Sequence, residues 1–236
     1  SREEKIEKLI RLVEELLERL RELLERNAEL IKRLLDRLRE LLKELERLNE
    51  ELLKKLLEKV DDEDLRRVLE EVKKSLEEVR EKLERAVKEV KRLVDESRES
   101  AREVVKTIRD LLRKVRESED KRDVVRVIED IARLLDEILK ENRRVNEEIV
   151  RLIRDVLRVI REVVKTNADL LREILRRAGG VRELEELIKK VERDHERVIK
   201  EVEKLVKELL DRSEEIHKRA KELIKEVLDR VREAAR

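Results

Sequence analysis

Leu, Ile and Val recur every three or four positions from Ile6 to Leu56. The same spacing returns from Leu65 to Val115, from Val124 to Ile174 and from Leu184 to Ala234. Each stretch covers 50 positions in 14 steps, about 3.6 residues per step, which keeps one stripe of an α-helix apolar. Glu, Lys and Arg fill the positions between; they are strong helix formers that leave the opposite face to water. The pattern predicts four long, nearly straight helices over residues 2–60, 62–117, 121–178 and 181–235.

Three interruptions separate them. At Val60-Asp61-Asp62-Glu63-Asp64-Leu65, Asp61 is the expected N-cap with Asp64 at N3, and Val60 and Leu65 occupy the hydrophobic-staple positions. Between Glu117 and Asp123, Ser118 and Asp120 are both competent caps. Gly179 and Gly180 are the only glycines; Gly179 suits a left-handed helix stop, and Gly180 is expected to open the next helix with Glu183 at N3. Loops this short make consecutive helices antiparallel neighbours. The expected fold is all-α: a single-chain, antiparallel, up-down-up-down four-helix bundle, with residues 1–236 forming one domain.

The apolar stripes carry a few Asn, Ser and His residues, and burying one of these without a partner costs about 1–3 kcal/mol. In an antiparallel pair, residues at one height share a constant index sum. Asn27 with Ser97 and Asn49 with Ser75 both give 124; Asn27 with His217 and Asn49 with His195 both give 244. Ser97 with Asn142 gives 239, and Ser75 with Asn167 gives 242. Asn142 with His217 gives 359, and Asn167 with His195 gives 362. Two polar layers follow. One holds Asn49, Ser75, Asn167 and His195. The other holds Asn27, Ser97, Asn142 and His217, with Ser100, Asn146 and Ser213 one turn away. The expectation is that amides, hydroxyls and imidazoles satisfy one another, so that any other register strands them against Leu and Val.

Composition narrows the chemistry. Phe, Trp, Tyr, Met, Cys and Pro are all absent, and 54% of residues are charged, 64 basic against 63 acidic. The signs interleave along the whole chain, so no segment builds the one-sided field that nucleic acid or an anionic membrane attracts. Without cysteine there is neither a disulfide nor a thiolate metal site. No apolar run approaches the ~18 residues of a membrane span and no signal-peptide pattern opens the chain. A soluble protein without a targeting signal is expected; its location is not encoded.

Candidate reactive groups are few. Glu192-x-x-His195 and Glu214-x-x-His217 have the spacing of di-iron carboxylate bundles, but that chemistry needs the two motifs on different helices at one height. Both fall on the fourth helix, 22 residues or about 33 Å apart. Ser213 lies one turn from His217 without an evident substrate pocket or oxyanion donors. The Gly pair lacks the Lys-Ser/Thr sequel of a phosphate loop. No catalytic residue, cofactor or metal is therefore expected. A pH response through buried His195 and His217 is a lesser alternative.

Equal helices, Glu/Lys/Arg-saturated faces, Asp-rich and Gly-Gly loops and the Asn27–Ser97–Asn142–His217 layer together resemble computationally designed helical bundles with buried hydrogen-bond networks. The resemblance spans the whole chain. It implies a hyperstable scaffold with no natural substrate and no required partner. The rival reading is an assembly module. Residues 1–118 and 119–236 are helical hairpins, each with an apolar groove, that could self-associate or pair as halves of a heterodimer. The doublets Val104-Val105, Leu111-Leu112, Val124-Val125 and Val163-Val164 are expected to widen the core face rather than form a docking patch.

Overall fold

Where the apolar stripe runs, the backbone is helical. The computed structural model describes residues 2–59, 63–177 and 179–235. Its helices are α1 (Arg2–Lys59), α2 (Glu63–Glu117), α3 (Lys121–Arg177) and α4 (Arg182–Ala235), of 58, 55, 57 and 54 residues. They form an all-α four-helix bundle, with no strand among the described residues. The expected Asp61 cap and Val60 staple lie outside those residues, as does the side chain of Ala234.

At the second turn, Asp120 takes the cap that it and Ser118 could both have filled. Its Oδ1 accepts the Arg122 N–H at 3.1 Å and its carbonyl accepts the Val124 N–H at 3.3 Å. The Ser118 hydroxyl donates to the Asp120 carbonyl at 3.4 Å. At the third turn both glycines are left-handed, with φ of 92° at Gly179 and 66° at Gly180. The Gly180 N–H donates to the Leu175 carbonyl at 2.8 Å and the Gly179 N–H to the Arg176 carbonyl at 3.3 Å, the paired bonds of a Schellman stop.

Because Gly180 completes that stop, it does not open α4. The carbonyl of Val181 accepts from Leu184 and Glu185, each at 3.1 Å, so the N-cap position moves one residue on and Glu183 falls at N2. A Cβ at position 179 would meet no heavy atom within 4 Å. Gly179→Ala should therefore cost only its backbone strain, about 1–2 kcal/mol. A denaturant midpoint unchanged by that substitution would contradict this assignment.

The described chain divides into two compact units, each containing part of every helix. Unit 1 comprises Ser1–Ile31, Lys91–Ile149 and Glu208–Arg236; unit 2 comprises Lys32–Val90 and Val150–Lys207. In unit 1, Ile10, Val13, Ile108, Val115, Ile128, Ile131, Leu135 and Val231 are almost fully enclosed, and in unit 2 so are Leu34, Leu38, Leu45, Leu56, Leu65, Val72 and Ile160. Each fully buried aliphatic side chain contributes about 1.5–3 kcal/mol relative to exposure. Every described residue of the predicted stripes is buried or half-buried. Most of the half-buried ones (Val68, Ser75, Ala86, Ser97, Ala101, Val104, Leu111) lie on α2. Both members of each apolar doublet are also at least half-buried, and of these Val105 and Leu112 line a cleft described below.

Ion pairs between helices report the register. Arg80–Glu46 at 3.1 Å, Arg39–Glu84 at 4.0 Å and Arg116–Glu7 at 3.7 Å join α1 to α2, with index sums of 126, 123 and 123 around the expected 124. Arg143–Glu214 at 2.6 Å and Arg161–Glu196 at 3.4 Å join α3 to α4, both with a sum of 357. Arg37 joins α1 to α4 through Glu201, its Nε donating at 3.1 Å. This contact raises the arginine pKa and lowers that of the carboxylate, chiefly through the charge-assisted hydrogen bond. Such exposed pairs fix alignment more than they add stability.

Candidate functional site

The buried polar side chains are the only departure from an aliphatic interior among the described residues: Asn27, Asn49, Asn142, Asn146, Asn167, His195 and Ser213. Their helical positions place them on the apolar stripes, so the backbone satisfies itself and each side chain must find its own partner.

In unit 1 they find one another. Asn27 and Asn146 form a reciprocal amide pair: Asn27 Nδ2 donates to Asn146 Oδ1 at 2.9 Å, and Asn146 Nδ2 returns a bond to Asn27 Oδ1 at 3.2 Å. Asn146 Nδ2 also donates to Ser213 Oγ at 3.0 Å. Asn27 Nδ2 reaches Asn142 Oδ1 at 3.4 Å, a longer bond. Asn146 is thus the hub of a network joining α1, α3 and α4, and it is only 1% exposed. The index sum of the Asn146–Ser213 contact is 359, the register predicted for α3 and α4, reached through the pair one turn from the one expected.

Three residues expected in this layer stand outside it. Ser100 is exposed. Ser97 is half-buried and its hydroxyl makes no hydrogen bond among the described residues. His217 is half-buried, and its Nδ1 has no partner. The cause is angular. Successive residues turn by about 100°, so Ser97 and Ser100 point about 60° apart and Ser213 and His217 about 40° apart. Ser213 takes the inner position, and His217 is left near Arg143, Lys221, Glu214 and Asp136. Burial, then the positive charge of Lys221 and Arg143, lowers the His217 pKa.

The layer in unit 2 is less connected. Ser75 shares its single hydroxyl proton between the Val72 carbonyl at 2.9 Å and Asn167 Oδ1 at 3.3 Å. Asn49 Nδ2 turns back onto the Leu45 carbonyl of its own helix at 2.7 Å. His195 is 2% exposed, and neither ring nitrogen has a hydrogen-bond partner. Mutual satisfaction of imidazoles and amides therefore does not hold here. Asn49, Asn167 and His195 instead line one small cavity of about 20 Å³. Burial pushes the His195 pKa down to about 4, against a weaker opposing pull from Asp194.

The carboxylates of the two Glu-x-x-His motifs are engaged elsewhere: Glu192 pairs with Arg172 at 2.5 Å and Glu214 with Arg143 at 2.6 Å. Among the described residues no three His, Asp or Glu side chains gather as a metal site would need. No described helix is long and apolar enough to cross a membrane.

Sequence reasoning did not single out a second feature, a cleft of about 1240 Å³ in unit 1. It lies between α1 and α2, and Asn142, Val145 and Asn146 of α3 line its inner side. Its sequence signal is a group of small residues, Ala28, Ser97 and Ala101, where the neighbouring stripes carry Leu and Val.

No protein-family model matches this chain. No curated protein matches it significantly either.

Proposed function

We propose that this chain is a structural scaffold of the computationally designed kind, without enzymatic activity, whose buried amides select one helix register. The observation that carries this reading is the Asn27–Asn146 pair with Ser213, set in an interior built mainly from Leu, Ile and Val. Helices of nearly equal length and glycines confined to a single turn support the same reading. An aliphatic core supplies stability whatever the exact alignment of the helices. Amides that must meet supply uniqueness, since a slipped helix leaves them unpaired.

The test removes the whole network at once. Replacing Asn27, Asn142 and Asn146 with Leu and Ser213 with Val should keep or raise the melting temperature, because no polar group is left stranded. Light scattering should then find several oligomeric states where the parent gives one. A quadruple variant that unfolds, or that keeps the parent's single state, refutes the proposal.

A further inference from the structure

We propose that the cleft between α1 and α2 in unit 1 binds one amphipathic α-helix from another polypeptide, gripping it between an acidic rim and a basic rim. The cleft is lined from Glu14 to Ile31 on α1 and from Val94 to Arg116 on α2. At 1.5 Å per residue these stretches are about 26 and 33 Å long, room for a helix of roughly 18–22 residues. A trough of this length exceeds what a compact small molecule fills.

Its rims carry opposite charge. Acidic residues dominate the α1 side, and Glu18 and Glu29 have no ion-pair partner among the described residues. The α2 side carries only bases, and Arg98, Arg102, Lys106 and Arg109 are likewise unpaired. In unit 2 the same two helices are bridged directly by Arg80–Glu46 and Arg39–Glu84. In unit 1 Arg116 reaches Glu7 at 3.7 Å and Glu14 at 3.9 Å, which closes one end of the cleft, while the unpaired charges named above lie along the rest of it without such a bridge. An inserted helix with basic residues on its α1-facing flank and acidic residues on its α2-facing flank would answer both rims.

The inner side defines the remaining face of the occupant. Leu24, Ala28, Ala101 and Val105 are half-buried and offer apolar contact. At mid-height the Ser97 hydroxyl and the Asn142 Nδ2 have no hydrogen-bond partner among the described residues, so a central Asn or Gln would be matched there. A second folded copy is a poor occupant, because Leu57, 47% exposed, is the only exposed large hydrophobic side chain among the described residues. Mixed-sign rims also disfavour nucleic acid and anionic lipid.

The test uses the full chain and fluorescein-labelled 21-residue peptides. Each has Leu at the two core positions of every heptad and one central core Asn. Their flanks are Lys on one side and Glu on the other, Lys on both, or Glu on both. The mixed peptide should bind one to one, at least tenfold more tightly than either same-sign peptide, and weaken with salt. Combining Arg98→Glu, Arg102→Glu, Lys106→Glu and Arg109→Glu makes both rims acidic. This variant should keep its helical circular dichroism and switch its preference to the Lys-flanked peptide by at least tenfold. Ala101→Trp, which fills the cleft, should abolish binding of the mixed peptide.

Absence of mixed-peptide binding to the folded parent overturns the proposal. So does equal affinity for all three peptides, which would mark a merely greasy surface. A Glu25→Cys/Arg102→Cys variant that oxidises rapidly whether or not peptide is present would do the same, because the rims would then meet each other with nothing between them.

Discussion

Lowering the pH from 7.5 to 4.5 should remove about 2–3 kcal/mol of unfolding free energy from the parent and much less from a His195→Leu variant. In the folded chain the His195 pKa is pushed down to about 4. Unfolded, it returns to the ordinary value near 6.5. Between those values the unfolded chain holds a proton that the folded chain does not. Stability is therefore complete above pH 6.5 and falls as the pH drops toward 4. Below that, both states are protonated and this contribution to the slope ends. His217, whose pKa is also lowered, acts in the same direction, but it is half-buried and already among charged neighbours. The lowered Glu141 and Glu201 carboxylates begin to lose their contribution only near the ordinary carboxylate value, at the acid edge of this window, and His195→Leu leaves that part unchanged. Guanidinium denaturation of both proteins at the two pH values provides the measurement. Equal parent stability at both would show that the imidazole is not buried as described. At pH 7.5 the Leu variant should match or exceed the parent, since the replaced ring makes no hydrogen bond.

Asn146→Ala should be the most damaging single change in the polar network, costing about 3 kcal/mol. Three hydrogen bonds disappear with that side chain, leaving the Asn27 amide with only its long contact to Asn142 and depriving the Ser213 hydroxyl of its donor. Each buried polar group left without a partner costs about 1–3 kcal/mol, and the vacated volume adds to that. Asn49→Ala should cost less, about 1 kcal/mol, because Asn49 bonds only a carbonyl of its own helix. Ser100→Ala should be neutral within about 0.5 kcal/mol, since Ser100 is exposed. Denaturant midpoints at constant slope would rank the three. A loss at Ser100 equal to that at Asn146 would refute the described network.

Much of the fold was legible because it depends on height along a helix, which an index records. The apolar spacing gave the four spans, Gly179 marked the stop after α3, and three ion pairs between α1 and α2 fall within two positions of the sum that Asn27 with Ser97 had indicated. The site was legible in height but not in angle. Asn146 and Ser213, placed one turn away, form the network, while Ser97 and His217, placed in the layer itself, do not. Nothing in spacing decides between side chains 40–60° apart when both border the stripe; packing in three dimensions does. The cleft was less legible still. Small residues at Ala28, Ser97 and Ala101 are equally compatible with two helices in close contact and with two held apart.

The amides and hydroxyl of unit 1 tie α1, α3 and α4 together, and no hydrogen bond of that network reaches α2. Three helices therefore behave as a bolted tripod, and the fourth leans on it through aliphatic contact and a few surface charges. Thermal breathing of this unit has one inexpensive direction. The stretch of α2 around Ser97 to Val105 can lift away without breaking any of those internal bonds, whereas displacing any other helix would.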